Sequence, residues 1–147
     1  MNQVDCCPRV PVSWGELVDK ITILQIKTER IASRDARANV AHELAALHRI
    51  AGDAMRSDCV MPLMEQLQAV NEELWEIEDK IREREAESDF GQRFVQLARA
   101  VYKKNDLRAA IKRRINEALG SELVEEKSYA NWTSATGEAM SARQSAV

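Results

Sequence analysis

MPLMEQLQAVNEELWEIEDKIREREAESDFGQRFVQLARAVYKKNDLRAAIKRRINEALG, residues 61–120, reads as one long helical hairpin. In its first arm Leu63, Leu67, Val70, Leu74, Ile77 and Ile81 follow one another in steps of four and three, which places all six on one stripe of an α-helix. Such a stripe is a coiled-coil-like seam. The return arm is expected to start at Ser88-Asp89, with Asp89 accepting hydrogen bonds from the first free amides and Gln92 reaching back as a capping box. Phe90, Phe94, Leu97 and Val101 keep the rhythm, which resumes at Ile111, Ile115 and Ala118 before Gly120 offers a left-handed terminating position.

The seam breaks in the middle of the return arm. Where apolar residues are due, the chain has Lys104, Asn105 and Arg108, and folding back at Glu87 to Asp89 sets Gln66, Leu67, Val70 and Asn71 opposite them. The break admits two explanations. An Asn71–Asn105 pair across the seam would fix the register at some cost in stability. Alternatively, Lys104 or Arg108 turned into a helical core needs an anionic partner or a route to water, and a ligand pocket would supply one.

Upstream, residues 1–9 read as a flexible leader, and Val10-Pro11-Val12 as a short extended approach. Ser13 with Glu16 forms a capping box for a first helix, along which Trp14, Leu17, Val18, Ile21, Leu24 and Ile31 share one face. Ile23 and Ile26 point to the other side, among charged residues. Either a second helix or the C-terminal segment covers them, or they form a self-association interface. That second helix runs from a cap near Asp35 to Gly52, with Val40, Leu44, Leu47 and Ala51 on its buried stripe, and a loop from Asp53 to Met61 leads to Pro62. After Gly120, Leu123, Val124, Tyr129 and Trp132 are available to pack back on the bundle. Residues 10–132 are therefore expected to form a single helical domain and residues 133–147 a disordered tail. The fold class is all-α: a long antiparallel hairpin with one or two further helices against it, four helices in all and coiled-coil-like.

Hydrophobic residues make up 45% of the chain and aromatics only 5%, a helical composition and not a β one. A net charge of −3 argues against a protein built mainly to coat nucleic acid. No apolar run is long enough to cross a bilayer, so no membrane insertion is expected and the chain should stay cytoplasmic. Cys6, Cys7 and Cys59 suggest no disulfide framework, and His42 and His48 stand six apart, not at metal-ligand spacing. Charge is divided between the arms, acidic over residues 71–87 and basic over residues 93–114, which suits cross-arm pairing. Glu72, Glu73 and Glu76 match the first half of the EExxE…ExxD magnesium pattern of all-α nucleoside triphosphate pyrophosphohydrolases, but Lys103 stands where the second half needs a glutamate before Asp106. Neither a metal nor a cofactor is expected.

VPVSWGELVDKITILQIK, NEELWEIEDKIRERE, FVQLARAVYKKNDLRAAIKRRIN and EEKSY, spread over residues 10–129, together resemble a bacterial and phage family catalogued as domain of unknown function 6165. The resemblance draws attention to Glu16, Asp19, Lys20 and Lys27, to Asn71, Trp75, Glu78 and Asp79, and to Tyr102, Asn105, Asp106, Arg108 and Lys112. Glu126, Lys127, Ser128 and Tyr129 close the set. It implies a setting in surface-polysaccharide gene sets and assigns no catalytic role.

The leading expectation is a cytoplasmic helical module that binds a protein partner or itself, accessory to surface-polysaccharide synthesis. The rival is a small enzyme or binding protein for an anionic phosphorylated metabolite. There Lys104, Asn105, Arg108 and Lys112 would grip the anion, with Asp19, Lys20, Lys27, Asn71, Tyr102 and Asp106 as polar neighbours and Asp19 or Asp106 free for acid-base work. A weaker alternative is nucleic-acid binding through the basic fourth helix.

Overall fold

The computed structural model describes residues 5–129. Four helices follow in order: α1 (Trp14–Arg30), α2 (Arg34–Ala51), α3 (Met61–Ala86) and α4 (Gln92–Leu119), with a short 3-10 turn over Gly52–Arg56 after α2. The described residues contain no strand, so the all-α expectation holds. α3 and α4 pair as the hairpin. The centre of the molecule is nonetheless α1, which packs against α2, α3 and α4 together.

Helix boundaries follow from local capping. Ser13 Oγ accepts the Glu16 amide at 3.2 Å and starts α1, while Ser33, and not Asp35, starts α2 by accepting the Ala36 amide at 3.3 Å. The expected capping box at Ser13 is only half made, because the Glu16 carboxylate goes instead to Lys112, 2.7 Å away. α3 ends in a Schellman motif, in which the Asp89 amide donates to the Arg84 carbonyl and the Ser88 amide to the Glu85 carbonyl, with Ser88 in the left-handed region at φ 52°. α4 ends the same way. Gly120 there sits at φ 60°, with Ser121 donating to the Asn116 carbonyl, as the sequence led one to expect. The start of α4 differs from expectation: Asp89 accepts from the Gly91 amide at 3.1 Å, its other oxygen is held by Arg84, and Gly91 is the cap with no side chain contributing.

The hairpin seam changes character along its length. Leu63, Leu67, Val70 and Leu74 are buried, but Ile77 and Ile81 of the same stripe are only half-buried, as are Phe94 and Val101 opposite, while Leu97 between these two is buried. The cause is length. α1 has 17 residues, about 26 Å, against 26 for α3 and 28 for α4, about 39 and 42 Å. Its C-terminal end reaches Glu76 of α3, where Arg30 Nη1 stands 2.5 Å from Oε1. Beyond that level α3 and α4 continue as a two-helix arm. The lower half, with Leu17, Val18, Ile21, Leu63, Leu67, Val70, Ile111 and Ile115, is the core.

Two sequence expectations fail here. Ile26 is 1% exposed and Ile23 half-buried, so α2 and the hairpin cover most of the strip that the self-association alternative needed on α1. In the C-terminal segment Leu123, Val124 and Tyr129 remain exposed, and the segment returns to the bundle through charge instead of apolar packing. Trp132 and the tail expected over residues 133–147 lie outside the described residues, as do residues 1–4 of the leader.

Candidate functional site

α1 begins against the last turns of α4, and the fit there is close. A Cβ on Gly15 would stand 2.6 Å from the Lys112 carbonyl oxygen, so only glycine lets the two backbones approach this far. The free amides of the first turn of α1 are met across that contact: Gly15 donates to Asn116 Oδ1 at 2.6 Å and Trp14 to Ser121 Oγ at 3.1 Å. With Glu16 held by Ser13, α4 and its C-terminal turn complete the cap of α1.

One turn further, Asp19 enters the place where the hairpin seam is broken. Its side chain is 2% exposed, and its carboxylate accepts from Asn71 Nδ2 of α3 at 2.9 Å and from Arg108 of α4 through both Nε, at 2.9 Å, and Nη2. Asn71 shares its amide with Thr22 Oγ1 at 2.9 Å, while the Thr22 hydroxyl donates to the Asp19 carbonyl. Lys112, also buried, lies 3.9 Å from Asp19 and donates to Glu16 at 2.7 Å and to Glu125 at 2.8 Å. Three helices and the C-terminal segment therefore meet in one charge network.

Its electrostatics follow from those contacts. Hydrogen bonding to Asp19 holds the Arg108 guanidinium above its ordinary range. Burial alone would push Lys112 down, but its bonds to Glu125 and Glu16 outweigh that and hold it above the usual lysine value. Glu125, bonded to Lys112 and then to Lys127, is held down to about 2.

The structure thus brings together Asp19, Asn71, Arg108 and Lys112 from the expected set and separates the rest. Asn71 does not pair with Asn105: α1 lies in the groove between the arms and inserts Asp19 and Thr22, leaving Asn105 exposed, with its Oδ1 3.4 Å from Arg108 Nη1. Lys104 forms an ion pair with Glu73 across the hairpin, and Lys20 pairs with Glu43 of α2 at 2.7 Å. Tyr102 and Asp106 are exposed and Lys27 is half-buried. The carboxylates that meet Arg108 and Lys112 are the chain's own, Asp19 for the first and Glu16 and Glu125 for the second. An open cleft of about 220 Å³ does lie nearby, lined by Arg113, Asn116, Glu117, Gly120, Ser121 and Val124, smaller than the usual small-molecule site. Glu72, Glu73 and Glu76 are drawn to three different partners, Gln68, Lys104 and Arg30. The arms are joined by Lys104–Glu73, whereas Arg108, Lys112 and Arg113 turn to α1 and the C-terminal segment, so charge fixes the alignment of three elements and not of the hairpin alone.

Sequence reasoning missed Gly15, Thr22, Asn116, Ser121 and Glu125. Glu125 lies inside the quoted EEKSY motif, one residue before the set singled out there. Asn116 and Gly15 carry no local signal, since their pairing spans 101 residues of chain.

A second feature is the arm. Phe90 and Val95 at its tip are 53% and 50% exposed, and Phe90 packs edge-on against Phe94 with ring centroids 5.2 Å apart. None of the described helices is long and apolar enough to cross a membrane. No curated protein and no solved structure matches the chain. The match to a family model, over residues 8–145, extends beyond the 10–129 span of the motifs into the C-terminal tail, and on it the chain belongs to DUF6165, a family of unknown function.

Proposed function

We propose that the protein is a helical protein-interaction module: the four-helix lower half anchors the hairpin, and the overhanging arm of α3 and α4 is the element that binds. The observation carrying this is the change in burial along one continuous stripe, from Leu67 and Val70 in the core to the half-buried Ile77 and Ile81. A seam of apolar residues that outruns the helix covering it is what an interaction surface requires. The polar network supports the same view, because Asp19, Arg108 and Lys112 are engaged with one another and with α3, where they hold the base of the arm.

A photo-crosslinking residue at Ile81 or Val95, introduced in cells, tests it. A discrete protein adduct is expected from these positions, absent from a crosslinker at exposed Ala45 of α2 and lost on Phe90→Asp with Val95→Asp. Equal labelling from Ala45, or none from the arm, would overturn the proposal.

A further inference from the structure

Gly120 ends α4 in the left-handed region, and Ser121 after it is fixed three ways. Its amide donates to the Asn116 carbonyl at 2.8 Å, and its hydroxyl accepts from the Trp14 amide at 3.1 Å and donates to the Leu123 carbonyl at 2.7 Å. From that root the chain turns back along α4, where Glu125 meets Lys112 at 2.8 Å and Glu126 meets Arg113 at 3.6 Å. Leu123, Val124 and Tyr129 are exposed, and the open cleft lies where Val124 stands off Arg113, Asn116 and Glu117. Apolar burial therefore contributes little to holding this segment, and charge holds it instead.

Those ion pairs can part without stranding a buried charge. Lys112 keeps Glu16 at 2.7 Å and Asp19 at 3.9 Å, Arg113 keeps Glu117 at 4.0 Å, and Glu125 carries Lys127 with it at 2.5 Å. Glu126 passes to water. Breaking a buried pair is costly chiefly because one partner is left uncompensated, and here a substitute stands ready on both sides.

We infer that residues 122–129 form a strap that opens and closes over Lys112 and Arg113 while the four helices stay folded, with Ser121 as its root and ionic strength as its control. Closed, the strap masks two adjacent cations of α4 with two adjacent glutamates. Open, it presents both cations to anionic groups in solution. The screening length falls from about 30 Å at 10 mM salt to about 3 Å at 1 M, which weakens these partly exposed pairs and leaves the apolar core of Leu67 and Ile115 intact. The strap lies at the opposite end of the hairpin from the arm and acts whether or not the arm binds a partner.

The test follows the full chain at these two salt concentrations by two readouts. One is acylation of Lys112, resolved by mass spectrometry and compared with exposed Lys80; the other is tryptic cleavage after Lys127, divided by the rate for the free peptide of residues 121–135. At low salt Lys112 should label about tenfold more slowly than Lys80, and at high salt both Lys112 labelling and strap cleavage should rise about five- to tenfold with helical circular dichroism unchanged. Glu125→Gln with Glu126→Gln, compared with the peptide carrying the same changes, should show the high-salt rates already at low salt and lose the salt dependence. If Lys112 stays protected until the helices melt in urea, the strap does not open on its own and the inference is overturned. It is overturned equally if Lys112 labels faster in the variant while cleavage after Lys127 does not, because the amine would then have changed its basicity beneath a closed strap.

Discussion

Asp19→Ala removes the buried carboxylate that joins α1 to α3 and α4, and the structure sets the scale of the loss. Three hydrogen bonds disappear, two from Arg108 and one from Asn71, and Lys112 loses a carboxylate 3.9 Å away. Breaking a buried ion pair by deleting one partner costs about 3–5 kcal/mol, mostly because the other charge is left uncompensated. The Arg108 side chain is 27% exposed and keeps some hydration, which places the loss near the lower end, at about 3 kcal/mol. For a urea slope of about 1.5 kcal/mol/M, the unfolding midpoint followed by circular dichroism at pH 7 should fall by about 2 M with the slope unchanged. Replacing both partners by leucine should recover part of the loss, giving a coupling of about 2 kcal/mol in a double-mutant cycle. If Asp19→Ala costs under about 1 kcal/mol, or if the Asp19 and Arg108 substitutions simply add, the network is not what holds α1 in the groove.

Other consequences are measurable on the same footing. Gly15→Ala, which in an open helix would stabilise, should lower the melting temperature by roughly 3–10 °C, because the new methyl meets the Lys112 carbonyl; an unchanged melt would mean that α1 and α4 do not touch there. Leu67→Ala should cost about 2–5 kcal/mol and Ile81→Ala only about 1 kcal/mol in dilute solution, although both lie on one stripe, since only Leu67 is fully buried. Ser88→Gly should raise stability by roughly 0.5–1 kcal/mol by relieving a left-handed serine at the end of α3, and a loss in denaturant titration would contradict the Schellman geometry. Glu125, held down to about 2 from 4.5, contributes stability that is present above pH 4.5 and lost as pH falls towards 2. Glu125→Gln should therefore melt below the wild type at neutral pH and converge on it over that window; a gap that persists at pH 2 would show that Glu125 acts through packing and not charge.

How much of this was legible beforehand depends on the range over which each cause acts. The hairpin, its turn near Ser88, the stop at Gly120 and the start of α1 at Ser13 rest on spacing and caps within a few residues, so the chain announces them locally. Even the break in the seam was visible, since Lys104, Asn105 and Arg108 interrupt an apolar stripe. What fills the break was not. Asn71 can satisfy its amide through Asn105 as well as through Asp19 on sequence grounds, and only the placement of α1 in the groove selects Asp19.

The same holds for the surface. By its own pattern the sequence determined four amphipathic helices, the stripe from Leu63 to Ile81 and the separation of acidic from basic arms, because each depends on a periodicity written in neighbouring residues. Tertiary structure alone decided that Ile26 is buried while Ile81 stays half open, and that Arg108 and Lys112 face Asp19, Glu16 and Glu125. Burial and pairing across 89 or 96 residues of chain are set by which helix lies against which face, and no local pattern records that placement.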